Sequence, residues 1–269
     1  MTKYAIAGLM FACLVPLARA DGEYISPTNE RVRISLGVMR LSNSTTFQAD
    51  SSTGVPGTVI NGEDQFGLDA SDYEPKFQVV MRAGERNRVR LDYFTLDRSG
   101  SATLTQPIVF RDSVLQVGDP VQSELDLRML SITYGYSAWH SEKLEIAPTF
   151  GVTSVQINAQ AKVTTQARHV DQREDVAGPY PTPGIDATWV ASKRWYLDGR
   201  WQWLSLTVNH LEGSLQFLEF DTLYRWKPNV SFALGYTAVK ARLSSSEATN
   251  GGFFDFDSKG PEFFVRVAF

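Results

Sequence analysis

The sequence predicts an all-β fold, a transmembrane up-and-down antiparallel β-barrel of ten strands. Three observations predict it. Along most of residues 30–269 apolar and polar side chains alternate with period two, as in strands whose two faces meet different surroundings. Short polar breaks alternate with long polar stretches, the asymmetry of a barrel with tight turns at one end and loops at the other. The final residues Phe263, Val265, Val267 and Phe269 share one face, so the chain stops inside a strand whose apolar side must be covered and whose edge must be paired. A closed barrel in lipid meets both demands.

Four short breaks, at 84–87, 140–143, 192–194 and 227–229, each separate two alternating segments, as tight hairpin turns do. Five longer polar stretches, 42–73, 98–123, 158–183, 207–213 and 244–252, are expected to be loops. Four turns and five loops make ten strands, and the even number returns both termini to the turn end. An eight- or twelve-strand count stays open, because the first two loops have room for a hairpin and the sixth strand is the weakest.

In the first strand, 30–41, Val32, Ile34, Leu36 and Val38 face lipid while Arg31, Arg33, Ser35 and Gly37 face inward. The second sets Phe77, Val79 and Met81 against Lys76, Gln78 and Arg82, and the third Val89, Leu91 and Tyr93 against Arg88, Arg90 and Asp92. The fourth opposes Leu130, Ile132, Tyr134 and Tyr136 to Ser131, Thr133, Gly135 and Ser137. Here Asp126 and Arg128 share the lipid-facing parity. The expectation is that this strand projects above the bilayer, rather than that a bulge near Met129 resets the phase. In the fifth, Leu144, Ile146, Phe150 and Val152 oppose Glu145, Ala147, Thr149 and Gly151; in the sixth, Ile185, Ala187 and Trp189 oppose Asp186 and Thr188. The seventh puts Leu197, Trp201 and Trp203 outside and Asp198, Arg200 and Gln202 inside; the eighth puts Leu218, Phe220 and Tyr224 outside and Glu219, Asp221 and Arg225 inside. The ninth carries Phe232, Leu234 and Tyr236 outward, and the tenth, 263–269, closes on the first with Glu262 and Arg266 inward. Trp139, Trp195 and Trp226 fall beside the turns, where a girdle of aromatic residues would meet the bilayer surface.

The predicted lumen therefore carries both signs of charge. Arg33, Arg88, Arg90, Arg200, Arg225 and Arg266 oppose Asp92, Glu145, Asp198, Glu219, Asp221 and Glu262, with Lys76, Arg82 and Asp186 of the same parity. Unpaired charges in so narrow a space are costly, so a paired network that plugs the lumen is expected. Barrels of this size fill their interior with side chains, and wide channels need about 16 strands.

Ahead of the barrel, Lys3, the apolar run 4–17 and the small-x-small site Ala18-Arg19-Ala20 read as a secretory signal peptide, residues 1–20, leaving 21–269 as one barrel domain. Cys13 lies within that peptide, so the remaining chain has no thiol for a disulfide, a metal or a nucleophile. Of 26 lysines and arginines, Lys3 and Arg19 leave with it; against 30 acids the net charge is −6, which argues against nucleic-acid binding. No run of about 18 apolar residues follows, so no transmembrane helix is predicted.

The closing motif, Phe263, Val265, Val267 and the terminal Phe269, resembles the C-terminal signature of Gram-negative outer-membrane β-barrel proteins, and the general plan is similar to the small OmpA/OmpW-like barrels. That resemblance implies residence in the outer membrane, contact with its lipid and lipopolysaccharide, and delivery by periplasmic chaperones to the barrel-assembly machinery, which reads the terminal aromatic. The expected role is a structural, surface-interacting barrel that displays its loops. A narrow, porin-like conduit for ions or a small solute is the alternative. A hydrolase at the outer rim is weaker. His210, beside Asn209 and Glu212, is the histidine placed to activate water, but Thr207-Val208-Asn209-His210 lacks the Asp two residues earlier that omptin proteases carry. Outer-membrane lipid A deacylases use a His-Ser pair at lipid level; His140-Ser141 lies at the other end. The segment 168–175 mixes Arg168 and Arg173 with Asp171, Glu174 and Asp175 and reads as a solvated loop, with lipopolysaccharide phosphates as the minority reading. No catalytic residue, cofactor or metal site is assigned, and an enzyme is not expected.

Overall fold

The structure is a computed structural model that describes residues 24–164, 169–208 and 210–269, without the side chains of 163–177 and 208. The signal-peptide reading, with Cys13, Ala18 and Ala20, lies outside the described residues, as do Arg168, Asn209 and the side chains of His169 and 171–175.

Ten long strands form the wall: β1 (Val32–Ala49), β2 (Ser71–Ala83), β3 (Asn87–Thr103), β4 (Pro120–Tyr136), β5 (Leu144–Thr164), β6 (His169–Val190), β7 (Trp195–Val208), β8 (Leu211–Lys227), β9 (Val230–Ser245) and β10 (Gly252–Ala268). Each pairs antiparallel with its chain neighbours, and β10 closes on β1 with Leu36 opposite Val265 and Val38 opposite Phe263. Closure removes the exposed edge that an apolar last strand would otherwise present.

The strands run well beyond their expected ends. The stretches expected as loops at 158–183 and 207–213 are mostly paired strand: β5 and β6 match from Leu144↔Trp189 to Thr164↔His169, and β7 and β8 from Trp195↔Tyr224 to Val208↔Leu211. The expected loops 42–73, 98–123 and 244–252 are likewise shortened by β1, β3, β4 and β9. The physical reason is an inversion rather than an end of the pattern. Near the turn end the outward face is apolar and the inward face charged. Near the loop end the outward face carries Arg40, Ser44, Thr95, Arg128 and Lys240, while the inward face carries Leu41, Phe94, Leu96, Leu127 and Val239. Both halves alternate with period two, but polarity changes sides where the lipid stops.

The same inversion disposes of a bulge near Met129. The register of β4 against β3 runs unbroken from Asn87↔Tyr136 to Thr103↔Pro120, so Asp126 and Arg128 project outward above the apolar belt. Arg31 is a correction: it precedes β1 and is exposed rather than inside the lumen.

The first two loops keep local structure of their own. In the first, Ile60–Asn61 adds a short strand to β1, and one helical turn, α1 (Gly62–Phe66), follows. The Asn61 side chain accepts from the Asp64 amide at 2.9 Å, and Gly67 closes the turn at a φ of 67° that a side chain would resist. The second loop folds as a hairpin of Ile108–Phe110 and Ser113–Leu115, outside the ten-strand wall. Arg98 of β3 fastens the first loop inward. It donates to Glu63 at 2.6 Å, to the Thr45 hydroxyl at 2.7 Å and to the Asp69 carbonyl at 2.8 Å.

The wall is parted at two seams, one of them between β2 and β3, which pair from Ala83↔Asn87 only to Phe77↔Tyr93. At the other, β6 and β7 pair from Val190↔Tyr196 only to Gly184↔Gln202. Beyond that rung β6 is paired with β5, and β7 with β8.

Candidate functional site

In the turn-end half the inward charges form one continuous ladder of alternating sign. Arg82 donates to both oxygens of Glu145, at 2.6 and 2.8 Å. Arg88 lies 3.3 Å from Glu145 and 3.1 Å from Asp186. Arg90 bonds to Asp186 and lies 2.8 Å from Asp92. Arg200 continues from Asp92, at 2.8 Å, to Glu219. Lys76 ends the run, 3.2 Å from Glu219, 2.8 Å from Glu262 and 3.9 Å from Asp221. These residues come from seven strands and cross the lumen, so each cation is flanked by acids and no charge is left alone in a dry interior.

Glu219, Asp221 and Glu262 each point one carboxylate oxygen into a space less than 4.8 Å across, a spacing able to hold a metal ion. The Lys76 ammonium already supplies positive charge to all three. Gly235 makes room for this group, since a Cβ there would come within 1.8 Å of an Asp221 oxygen.

A second group stands beside the ladder. Asp198 accepts from Arg266 and, at 2.8 Å, from the Thr188 hydroxyl, with Arg33 at 4.0 Å. Arg266 also donates to the Ser35 hydroxyl at 3.1 Å across the closing seam. At the turn-end mouth Arg225 donates to Glu30 and to the Ile25 carbonyl, both at 2.6 Å. Burial holds the Glu30 carboxyl above its ordinary value despite the Arg225 guanidinium beside it.

All twelve charges assigned to the lumen from sequence thus point inward, in two groups and one mouth pair. Glu30 was missed because, in a first strand expected over 30–41, it shares the lipid-facing parity of Val32 and Ile34; β1 begins only at Val32, and Glu30 turns in to the mouth. Lys76, Arg82 and Asp186 were read as inward but not as the links that make the ladder continuous. His210, the rim candidate, is exposed in the two-residue turn between β7 and β8, and its carbonyl accepts from the Ser246 amide at 2.8 Å.

Above the ladder, Met39, Leu41, Phe94, Leu96, Leu127 and Met129 form an apolar layer, with Val239 and Phe256 completing it. Over that floor lies a cavity of 260 Å³, walled by residues such as Phe47, Phe66, Phe110, Leu125, Ile157 and Phe254. Sequence reasoning missed this cup. Its signal was present, because Phe94 and Leu96 keep the inward parity of Arg88, Arg90 and Asp92.

No family model matches the chain, and no curated protein matches it either. Among solved structures, the outer-membrane protease OmpT of Escherichia coli aligns with a TM-score of 0.54 at 9% identity, over 92% of this chain and 99% of that one. The fold is that of an outer-membrane β-barrel. The translocator domain of the autotransporter NalP from Neisseria meningitidis aligns at 0.49 and 9% identity over 100% of this chain and 97% of its own. Ail, the attachment invasion locus protein of Yersinia pestis, aligns at 0.34 and 7% identity over 88% and 99%. At 9% identity the likeness to OmpT speaks to the barrel's architecture and to nothing of its chemistry.

Proposed function

We propose that the barrel resides in the outer membrane of a Gram-negative bacterium as a non-conducting, surface-displayed protein, its turn end in the periplasm and its loop end outside. The observation that carries this reading is the ladder from Arg82 to Lys76, which fills the narrow lumen with paired charge. The outward bases Arg40, Arg128, Lys240 and Lys259 stand just above the apolar belt, at the height where lipopolysaccharide phosphates would lie. Trp139, Trp195 and Trp226, exposed beside the turns, suit the opposite surface of the bilayer.

Planar-bilayer recording tests the plug. Protein that inserts without unit conductance is the expected result, and Arg90→Ala, which breaks the ladder at its centre, is expected to introduce a measurable leak. Reproducible unit conductance from the unmodified barrel, altered by Arg90→Ala or Glu219→Ala, would overturn the reading in favour of a narrow conduit. Two voids of 50 and 40 Å³ beside the ladder are what that alternative would have to join. We assign no catalytic role to His210; peptidase or esterase activity that is lost in His210→Ala would revise that.

A further inference from the structure

We propose that the cup at the loop end is a binding site for a small neutral aromatic molecule of roughly ten to twelve non-hydrogen atoms carrying one polar group. Its volume sets the size. An apolar cavity of about 150 Å³ suffices for benzene, so 260 Å³ admits a second ring but not a drug-sized ligand.

Its wall sets the class. Phe47 meets Phe66 edge-on, with centroids 5.6 Å apart, and Phe110 at 6.0 Å, and all three rings line the cavity. Phe254, directly opposite Phe47 across the β1–β10 seam, stacks on Phe256. Leu125 and Ile157 complete an apolar surround.

Its rim supplies the polar contact. Arg111 and Asn250 are the non-glycine residues with positive φ among the described residues, at 51° and 58°, and both line this one cavity. Their side chains approach to 3.5 Å. A left-handed backbone is unfavourable for arginine, and such strain concentrates where a side chain is being aimed at a ligand. The apolar floor below means that a ligand entering from outside reaches a dead end above the charged ladder.

The site stands whether or not the lumen conducts, so a conductance result decides the plug and leaves the cup untouched. The test uses the barrel reconstituted in lipid nanodiscs, because detergent chains would compete for the cavity. 1-Naphthol is titrated calorimetrically, with empty nanodiscs subtracted. Saturable one-to-one binding is expected, weakened at least tenfold by Ala159→Trp, which fills the cavity from β5, and also by Leu125→Trp, with circular dichroism verifying that each variant keeps its β-structure. Asn250→Ala is expected to weaken 1-naphthol about threefold while leaving naphthalene unchanged. Uptake no greater than that of empty nanodiscs, or undiminished binding in both folded tryptophan variants, would overturn the proposal. Stronger binding of decanoate than of 1-naphthol would overturn its aromatic class.

Discussion

The two halves of this barrel solve opposite problems with one strand pattern. In the turn-end half the wall faces lipid, so Ile132 or Phe220 stands outside and Arg88 or Glu219 inside; in the loop-end half the wall faces water, and Arg128 stands outside with Leu127 inside. The side chains keep their direction and exchange their chemistry. The comparison teaches that the surrounding solvent sets the outer face, and that the inner face takes whatever packs in the enclosed space: paired charge below, and above it mostly hydrocarbon, with Arg98 held by Glu63. The halves should therefore fail differently.

The largest effect is expected where removing one group strands others. Glu145→Leu leaves Arg82 and Arg88 without a shared acid and is expected to cost about 3–5 kcal/mol, read from urea unfolding in vesicles. In the upper half Leu96→Ala opens a cavity in the apolar layer, and about 3 kcal/mol is expected by the same measurement. If the two mutants instead fell in the reverse order, the ladder would be a weaker brace than the floor above it. On the outer face, Ile132→Arg places a charge in the lipid belt and is expected to cost about 2–3 kcal/mol. Arg128→Ile, four residues along the same strand, should stay within about 0.5 kcal/mol. Equal costs at the two positions would erase the proposed boundary between lipid and water.

The smallest effect concerns pH. Burial holds the Glu30 carboxyl above its ordinary 4.5, so the folded chain keeps a proton that the unfolded chain releases. The resulting stabilisation is full below about pH 4.5 and fades as pH rises through the raised value. Unfolding midpoints of Glu30→Gln should lose this slope.

Strand number was legible from the count of polar breaks, and facing and the charged lumen because they rest on parity alone, which survives without knowledge of partners. The inward direction of Glu219 or Arg266 needs only its neighbours in sequence. What was not legible is who meets whom: the Arg90–Asp186 link joins residues 96 positions apart, set by closure of the barrel rather than by any local pattern. The loops were over-assigned for another reason. Polar outward residues such as Ser44 and Asn158 look like loop when the outside is assumed to be lipid throughout, although Phe47, Ala159 and Ala161 still kept the beat.

The parted wall between β6 and β7 carries a hazard that is tempered at the other parting, between β2 and β3, where Leu68 of the first loop bridges Gly100. From His169 to Pro183 the outer edge of β6 has no β7 rung, and such an edge recruits strands from neighbouring copies. Every second position at its lower end, 179, 181 and 183, is proline, which has no amide hydrogen to offer a newcomer. Along those five residues, where the side begins to stand ajar, a second copy of the chain finds fewer amides to stitch itself onto.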